Sequence, residues 1–370
     1  MNASCIKTFQ TQAFPRSLCR CLETSAEDRA IVFIEHLFKH AISSGASDIH
    51  LEPECDHVIV RYSIDGVLQL VSEFDKVYWS RVCARIKVIS EMDIVQTHKP
   101  QSGRVSLYGV DFRISCHPTM FGENIVIRVL DKSKNILELS TLGFNIVTQK
   151  KLHSAITRPN GMIIVAGPTG AGKTTTIHAL LSMINDDHKN IMTLEDPPEI
   201  MIPGIRHTSV EGIGFFEGLK SILRQNPSVI FIGEIRDEQT AHLAFRASMT
   251  GSLVITTLHA KTSLHALQRL QDLEVPKSYI SENVIGILSQ RLVRKICCGG
   301  CVSCMGKSGY NGRTILSEWI EISDNLLTDR SSIACRKELL EKQGVCFMES
   351  NAKELVMTGV TSAEEISRVL

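Results

Sequence analysis

The sequence predicts an α/β protein in which a larger parallel α/β domain follows a smaller α+β domain. Three observations lead to this prediction. Apolar strand-like runs in the later part of the chain lack polar alternation and are separated by helical segments, which is typical of a sheet buried on both faces. A glycine-rich stretch lies between the first of these runs and a helix. The early part of the chain instead alternates polar and apolar residues and contains hairpin turns.

Composition narrows the class of protein. The 370 residues are enough for about two or three domains, and 43% of them are hydrophobic. Forty Lys and Arg balance forty Asp and Glu without a long basic block, which disfavours a DNA motor and predicts no nucleic-acid partner. No apolar run suits a signal sequence or a membrane span of about 20 residues. We therefore expect a cytoplasmic protein whose twelve cysteines are thiols.

Residues 1–24 show no periodicity and form an amino-terminal extension, and residues 25–130 form the small α+β domain. A helix is predicted to begin at Ser25, with Asp28 as its capping partner. The later elements of this domain are predicted from alternation and turn signals. They are a strand at Ala46 to Pro53, strand residues Val58, Val60 and Tyr62, a turn at Asp65-Gly66, a helix from about Val77 to Met92, a hairpin within Gly103 to Cys116, and a strand at Glu123 to Leu130.

Three arginines of the small domain share one side of its second hairpin and strand. Arg104, Arg113 and Arg128 have the opposite parity to the apolar residues of their strands, so two-residue periodicity places them together on the polar face. Two interpretations stay open. The arginines form either a solvated strand face or a set of cations offered to phosphate.

Residues 131–142 lack a hydrophobic periodicity, so we predict that they form a linker. Residues 143–370 form the second domain. After a helix at about Ile146 to Ile156, strands are predicted at Met162–Ala166, Ile191–Leu194, Val229–Ile232 and Leu253–Thr257. From about residue 276 the pattern is mainly helical and predicts a carboxyl-terminal helical subdomain. Its last helix has a capping box formed by Thr361 and Glu364.

The glycine-rich stretch fits G-x-x-x-x-G-K-[ST] and follows a strand and precedes a helix. In this arrangement backbone N–H groups converge on phosphate oxygens, Lys173 reaches the β- and γ-phosphates, and the Thr174 hydroxyl holds Mg²⁺. ATP with Mg²⁺ is therefore the expected cofactor. The nucleotide-binding residues are Gly167, Pro168, Thr169, Gly170, Ala171, Gly172, Lys173, Thr174 and Thr175.

Candidate catalytic residues follow three of the predicted strands. Glu195 and Glu234 end two of them, at the edge where ligands of open α/β sheets bind, and His259 ends a third. Phosphoryl transfer to water needs one group on Mg²⁺ and one that orients water. We take Thr174 and Glu234 as Mg²⁺ ligands, although the residues alone leave the roles of the two glutamates open.

Three residues near these strands have open roles. His259 is either structural or a sensor of the γ-phosphate. Arg224 and Arg236 flank the strand before Glu234 and are further candidates; either is equally well a surface ion pair.

In these motifs the sequence resembles the secretion ATPases that power type II secretion and type IV pilus assembly. The resemblance covers about residues 28–370. The motifs that carry it are Ala46 to Pro53, Pro100 to Arg104, the Gly167–Thr174 loop, Glu195-Asp196-Pro197, Gly233 to Asp237, His259, Gly309 to Thr314, and Gly359 to Val369.

The resemblance implies a RecA-like ATPase domain preceded by a small PAS-like domain, in a homohexameric ring. Arg104 and Arg113, with Arg128 as a third candidate, would complete the ATP site of a neighbouring subunit. Hydrolysis would act on a polytopic inner-membrane platform protein and drive pilus or pseudopilus assembly. A membrane-anchored cytoplasmic assembly protein would be a further partner, and the motor would lie in the cytoplasm, peripheral to the bacterial inner membrane.

A cysteine run departs from the family pattern. Such ATPases usually hold zinc with two separated C-x-x-C pairs, whereas Cys297, Cys298, Cys301 and Cys304 fall within one short stretch. Thiolates at this spacing suit tetrahedral zinc, but wrapping one ion within so few residues is sterically awkward. A zinc site and a shortened, metal-free remnant both stay open.

An extension-type motor is the favoured function, since retraction ATPases lack the cysteine module. The alternatives are a retraction-type pilus ATPase and a catalytically weak or regulatory nucleotide-binding subunit of the same machine. The presence of Lys173, Glu195, Glu234 and His259 argues against a subunit that no longer turns over.

Overall fold

A computed structural model describes residues 29–130, 138–297, 309–323, 326–327 and 333–370. The chain divides into two compact units, Met1–Asn135 and Ile136–Leu370. The predicted extension of residues 1–24, the capping pair Ser25 and Asp28, and the greater part of the predicted linker lie outside the described residues.

The first unit is a sheet with two helices. Its described elements are α1 (Arg29–Ser43), β1 (Asp48–Pro53), β2 (His57–Ile64), β3 (Val67–Asp75), a 3₁₀ turn (Lys76–Tyr78), α2 (Trp79–Ile89), β4 (Gln101–Leu107), β5 (Val110–Thr119) and β6 (Gly122–Leu130). The strands lie in the order β3-β2-β1-β6-β5-β4, and every neighbouring pair is antiparallel. The PAS-like relationship stays a prediction.

Alternation decides which face of this sheet is buried. Burial of β1 and β2 alternates residue by residue, and the apolar side chains of both strands join those of α1 and α2 in one core. Phe38 of α1 stacks on Phe112 of β5 with ring centroids 4.3 Å apart. The opposite parity is left for polar residues, the arginines of β4, β5 and β6 among them.

The second unit is a mixed sheet covered by helices. Its described elements are a 3₁₀ turn (Leu139–Thr141), α3 (Ile146–Ile156), β7 (Gly161–Ala166), α4 (Lys173–Ile184), β8 (Ile191–Glu195), β9 (Arg206–Ser209), α5 (Phe215–Ile222), a 3₁₀ turn (Leu223–Gln225), β10 (Val229–Ile232), α6 (Glu238–Met249), β11 (Leu253–Leu258), α7 (Ser263–Asp272), α8 (Lys277–Asn283), β12 (Val284–Ile296), β13 (Tyr310–Ile320), α9 (Ile333–Lys342), α10 (Met348–Met357) and α11 (Ala363–Val369).

The strand order is β13-β12-β7-β11-β10-β8-β9, and only the β12–β13 pair among the described strands is antiparallel. The sheet is buried on both faces, because alternate residues of β7 enter two different cores. Ile164 belongs to one core and Ile163 and Val165 to the other. No helix of the described residues is long and apolar enough to cross a membrane.

The prediction of a mainly helical subdomain from residue 276 is wrong for β12 and β13, which extend the sheet. The buried polar pair Ser289 and Gln290 interrupts the apolar run of β12. Leu288 and Leu292 meanwhile recur at helical spacing. The pairing with β7 and β13 overrides that local pattern, as tertiary context commonly does.

The predicted capping box of the last helix is also wrong by one residue. Ser362 is the N-cap, and its side chain accepts a hydrogen bond of 3.1 Å from the Glu365 backbone N–H. Thr361 instead donates its hydroxyl to the Arg294 carbonyl oxygen at 2.8 Å. The neighbouring strand therefore uses the hydroxyl that the sequence pattern assigned to the cap.

Candidate functional site

The glycine-rich loop lies where β7 ends and α4 begins. The backbone angle φ is +76° at Gly170 and +83° at Gly172, values that side chains with a Cβ rarely adopt. Gly172 is the N-cap residue of α4, and Lys173 is its first residue. The loop thus places consecutive backbone N–H groups at the positive end of a helix dipole, which is a ready anion site.

Lys173 is held inside this loop. Its Nζ donates hydrogen bonds of 2.9 Å to the carbonyl oxygens of Gly167 and Pro168. Burial lowers the pKa of Lys173 to about 8, an effect opposed by the Glu234 carboxylate and reinforced by the Arg291 guanidinium. A bound polyphosphate would favour the charged ammonium, so this environment suits an anionic ligand.

Glu234 follows the end of β10 and lies among charged groups. The β10 end is fixed by the Thr257 hydroxyl, which donates to the Gly233 carbonyl oxygen at 2.6 Å. The Arg236 guanidinium donates to the Glu234 carboxylate and, at 3.4 Å, to Asp196. The structure therefore gathers two of the predicted acidic motifs around one arginine.

His259 approaches the same carboxylate from the end of β11. Its Nε2 is 3.7 Å from Glu234 Oε2. Burial lowers the pKa of His259, as do the nearby Lys173 and Arg236, whereas Glu234 opposes them. A neutral imidazole at pH 7 can accept or donate one hydrogen bond through Nε2, so the residue is able to respond to a phosphate group without adding a charge.

Glu195 occupies a different, buried environment. The residue is 4% exposed, and its Oε1 accepts hydrogen bonds from Thr193 Oγ1 at 2.6 Å and His207 Nδ1 at 2.9 Å. His178 Nε2 lies 3.5 Å from Oε2. Burial alone raises the pKa of Glu195, but the nearby His178 imidazole and the hydrogen bonds from His207 and Thr193 outweigh it and hold the pKa at about 2.

The proton positions in this cluster follow from its hydrogen bonds. The backbone N–H of Ile202 donates to His207 Nε2 at 3.0 Å, so Nε2 is unprotonated. The proton is therefore on Nδ1, which donates the hydrogen bond to Glu195. Sequence reasoning missed His178 and His207. His178 lies within the buried apolar surface of α4, and His207 lies on β9, a strand that was not predicted.

Thr174 and Glu234 offer oxygen atoms of the kind that Mg²⁺ binds. Thr174 supplies a hydroxyl in the first turn of α4, and Glu234 supplies a carboxylate whose side chain is 20% exposed. Among the described residues, no three His, Cys, Asp or Glu side chains are placed to form a protein-only metal cage. Mg²⁺ typically needs only one or two protein oxygens beside water and phosphate oxygens. Thr174 and Glu234 would hold it.

The three arginines of the first unit form a row across neighbouring strands. Arg104 on β4 is directly opposite Arg113 on β5, which is directly opposite Arg128 on β6. The row lines a cavity of about 430 Å³. Arg128 Nε is 3.2 Å from Asp48 Oδ1, so one member is partly neutralised.

Two other predicted candidates have a different outcome. Arg224 is exposed in the turn before β10, at the opposite end of that strand from Glu234, and it does not belong to this group. Cys297 is half-buried, while Cys298, Cys301 and Cys304 lie outside the described residues. The zinc site therefore stays a prediction.

The chain is similar in sequence to secretion-system proteins. The model of the Type II/IV secretion system protein family matches residues 23–368. The type II secretion system protein E of Dickeya dadantii is 38% identical over 382 residues, covering 93% of this chain and 76% of that protein. The type II secretion system ATPase E of Vibrio cholerae is 36% identical over 387 residues, covering 94% and 76%.

Solved structures share the fold. The Legionella pneumophila ATPase DotB superposes with a TM-score of 0.73 at 21% identity, covering 91% of this chain and 95% of that one. The pilus retraction motor PilT with bound ADP gives a TM-score of 0.64 at 25% identity, covering 90% and 96%. These similarities confirm the predicted α/β fold class.

Proposed function

This chain belongs to the Type II/IV secretion system protein family, and from that premise we propose that it is an ATPase motor that drives pilus or pseudopilus assembly in type II secretion or a type IV pilus system. The proposal is supported by a relative named as the type II secretion system ATPase E and by a structural neighbour described with bound ADP. The proposed partners are five further copies of the chain, a polytopic inner-membrane platform protein and a membrane-anchored assembly protein. The proposed location is the cytoplasmic face of the inner membrane.

The observation that carries the proposal is the meeting of Lys173, Glu234 and His259 at one edge of the sheet. In the proposed reaction the loop N–H groups and Lys173 would hold the phosphates, and Thr174 and Glu234 would hold Mg²⁺, which would supply positive charge to the phosphate oxygens. His259, beside Glu234, is proposed to sense the γ-phosphate and to relay its loss to the next helix, α7.

Glu195 receives a supporting role in this proposal. Thr193 and His207 occupy its Oε1, and His178 lies beside its Oε2. The Leu194 carbonyl oxygen accepts a 2.8 Å hydrogen bond from the Gly233 N–H, so a fixed end of β8 also fixes the backbone that leads into Glu234. Glu234 would then be the carboxylate that holds Mg²⁺.

The arginine row of the first unit is proposed to complete a neighbouring subunit's site. Guanidinium groups on adjacent strands are held more rigidly than on a loop, and positive charge near the transferred phosphoryl group stabilises its transition state. Arg104 and Arg113 are the principal candidates, and Arg128 is the third. In a homohexameric ring each subunit would both receive and supply arginines.

A catalytically weak or regulatory subunit is the second candidate. It is favoured by the hydrogen bond that Arg236 donates to Glu234, because this bond engages the carboxylate that is proposed to be catalytic. A motor whose basal rate is low until a partner displaces Arg236 would behave in this way.

Phosphate release with Mg²⁺-ATP, measured against protein concentration, tests the proposal. We expect the specific activity of the natural protein to rise as rings form, and Glu234→Gln to lower it by about 100-fold or more. The matched control is Glu238→Gln, which makes the same change at an exposed residue of α6 and should retain activity. Background rates in every protein at concentrations where light scattering shows hexamers would reject autonomous hydrolysis and favour the regulatory subunit.

A further inference from the structure

Gln290 is a buried amide beside the phosphate-binding loop. It lies on β12, one residue beyond the last pairing of that strand with β7, which joins Ser289 to Ala166. β7 ends at Ala166 and turns into the loop, while β12 continues alongside. Gln290 is fully buried, so both ends of its amide need partners.

Both partners belong to the loop and its helix. Gln290 Nε2 donates a 2.7 Å hydrogen bond to the Ala171 carbonyl oxygen. Its Oε1 accepts a 2.9 Å hydrogen bond from the Thr176 hydroxyl on α4. One side chain therefore connects the β12 strand to the last loop peptide and to the first turn of the helix.

The loop also packs closely against the Gln290 backbone and side chain. A Cβ on Gly167 would lie 2.7 Å from the Gln290 carbonyl oxygen, and a Cβ on Gly172 would lie 3.3 Å from Gln290 Nε2. The first distance is shorter than real Cβ contacts allow. These two glycines are thus needed for close approach to β12 as well as for their backbone angles.

The hydrogen bond to Ala171 fixes the orientation of a peptide that faces the proposed ligand. In a trans peptide the C=O and the following N–H point in opposite directions. Because the Ala171 carbonyl is directed at Gln290, the Gly172 N–H is directed away from β12. We propose that Gln290 is a positioning residue for nucleotide binding, which acts through the Ala171–Gly172 peptide to present the Gly172 N–H to the phosphates.

This inference rests on the proposed function. It assigns Gln290 a role in binding the phosphate groups of the nucleotide. Gln290→Met keeps the length and approximate volume of the side chain but removes both hydrogen bonds. It leaves the Ala171 carbonyl unsatisfied, so we expect the dissociation constants of Mg²⁺-ADP and of inorganic pyrophosphate to rise together by about 10-fold or more. Gln290→Asn is the second variant, because its amide is one methylene too short to reach Ala171.

The matched control is Ser289→Ala. Ser289 is the preceding residue of β12 and is equally buried, and its hydroxyl has no hydrogen-bond partner among the described residues. Its substitution should leave both dissociation constants within about twofold of the natural values. Thermal unfolding without nucleotide, followed by circular dichroism, establishes that each variant is folded.

The outcomes separate the two proposals. If the natural protein binds neither Mg²⁺-ADP nor pyrophosphate, the proposed function fails. If the natural protein binds both and a folded Gln290 variant binds them equally well, the positioning role is overturned. Failure of both Gln290 variants to fold while Ser289→Ala folds normally also overturns it, in favour of a purely structural amide.

Discussion

Glu365 is the buried carboxylate that joins the last helix to the sheet. It accepts hydrogen bonds from the Arg294 backbone N–H at 3.0 Å, from Arg294 Nη2 at 2.7 Å and from Arg368 Nη2 at 2.6 Å. Burial alone raises the pKa of Glu365, but the hydrogen bonds from Arg368 and Arg294 outweigh it and hold the pKa at about 2. The ionised form is therefore the one that stabilises the fold.

We expect Glu365→Gln to lower the free energy of unfolding at pH 7 by about 2–3 kcal/mol. This is below the roughly 3–5 kcal/mol for breaking a fully buried pair, because Arg368 is partly exposed. A lowered pKa contributes stability above the ordinary carboxyl value of 4.5 and loses it as the pH falls toward 2. The difference between the natural protein and the variant should shrink across that interval in urea titrations.

Glu364→Gln is the control for this prediction, because Glu364 is the exposed neighbour on the same helix. It removes the same charge and should change stability by no more than about 0.5 kcal/mol. A pH-independent difference between Glu365→Gln and the natural protein would contradict the assignment of the stabilising form.

Single residues also show how far the site was predictable. Glu234 and His259 were predicted because each follows an apolar strand, and the structure brings their side chains together. The arginine row was predicted because strand parity is a local property, and the strand register places the three residues side by side. The environment of Glu195 was not found, since His207 meets it only through the pairing of β8 with β9. Gln290 was missed for the same reason: its partners Ala171 and Thr176 are distant in sequence.

At the scale of elements, predictability followed burial. The four predicted strands of the second unit agree with β7, β8, β10 and β11 to within one residue, because uninterrupted apolar runs have few other stable arrangements in a soluble fold. β12 was missed because Ser289 and Gln290 interrupt its apolar run and are nonetheless buried. The burial of Gln290 serves the loop at the end of β7, so the element least evident from local pattern lies directly beside the candidate site.

The β12–β13 hairpin depends on a close fit between Gly286 and Trp319. A Cβ on Gly286 would overlap Trp319 Cζ2, and Trp319 is almost completely buried. We expect Gly286→Ala to lower the free energy of unfolding by about 1–3 kcal/mol, as overpacking of a core does. Chemical denaturation followed by circular dichroism measures the loss.

Trp319→Phe tests whether the overlap with the tryptophan causes this loss. Phenylalanine lacks the second ring of the indole, which is the ring that the new methyl group meets. In that background Gly286→Ala should cost less, with a coupling free energy of about 1 kcal/mol or more. Strict additivity of the two substitutions would show that the alanine acts through the backbone and not through the tryptophan.

At the scale of the whole molecule, the proposed chemistry is divided between two units with separate cores. The phosphate-binding loop belongs to the second unit and the arginine row to the first. A site shared between two subunits of a ring can be distinguished from a site within one subunit by mixing two inactive variants. Two variants with complementary defects should restore activity when they assemble together.

Lys173→Ala removes the loop lysine, and the double substitution Arg104→Ala with Arg113→Ala removes the principal arginines. We expect each protein to be inactive alone. After equal mixing and random reassembly, half of the loops and half of the arginine donors are intact, so about a quarter of the natural specific activity should return. Lys173→Ala mixed with a variant carrying all three substitutions is the control, because no interface in that mixture has both parts. If differently labelled subunits co-purify in mixed rings yet phosphate release stays at the control level, the arginines do not act on a neighbouring subunit.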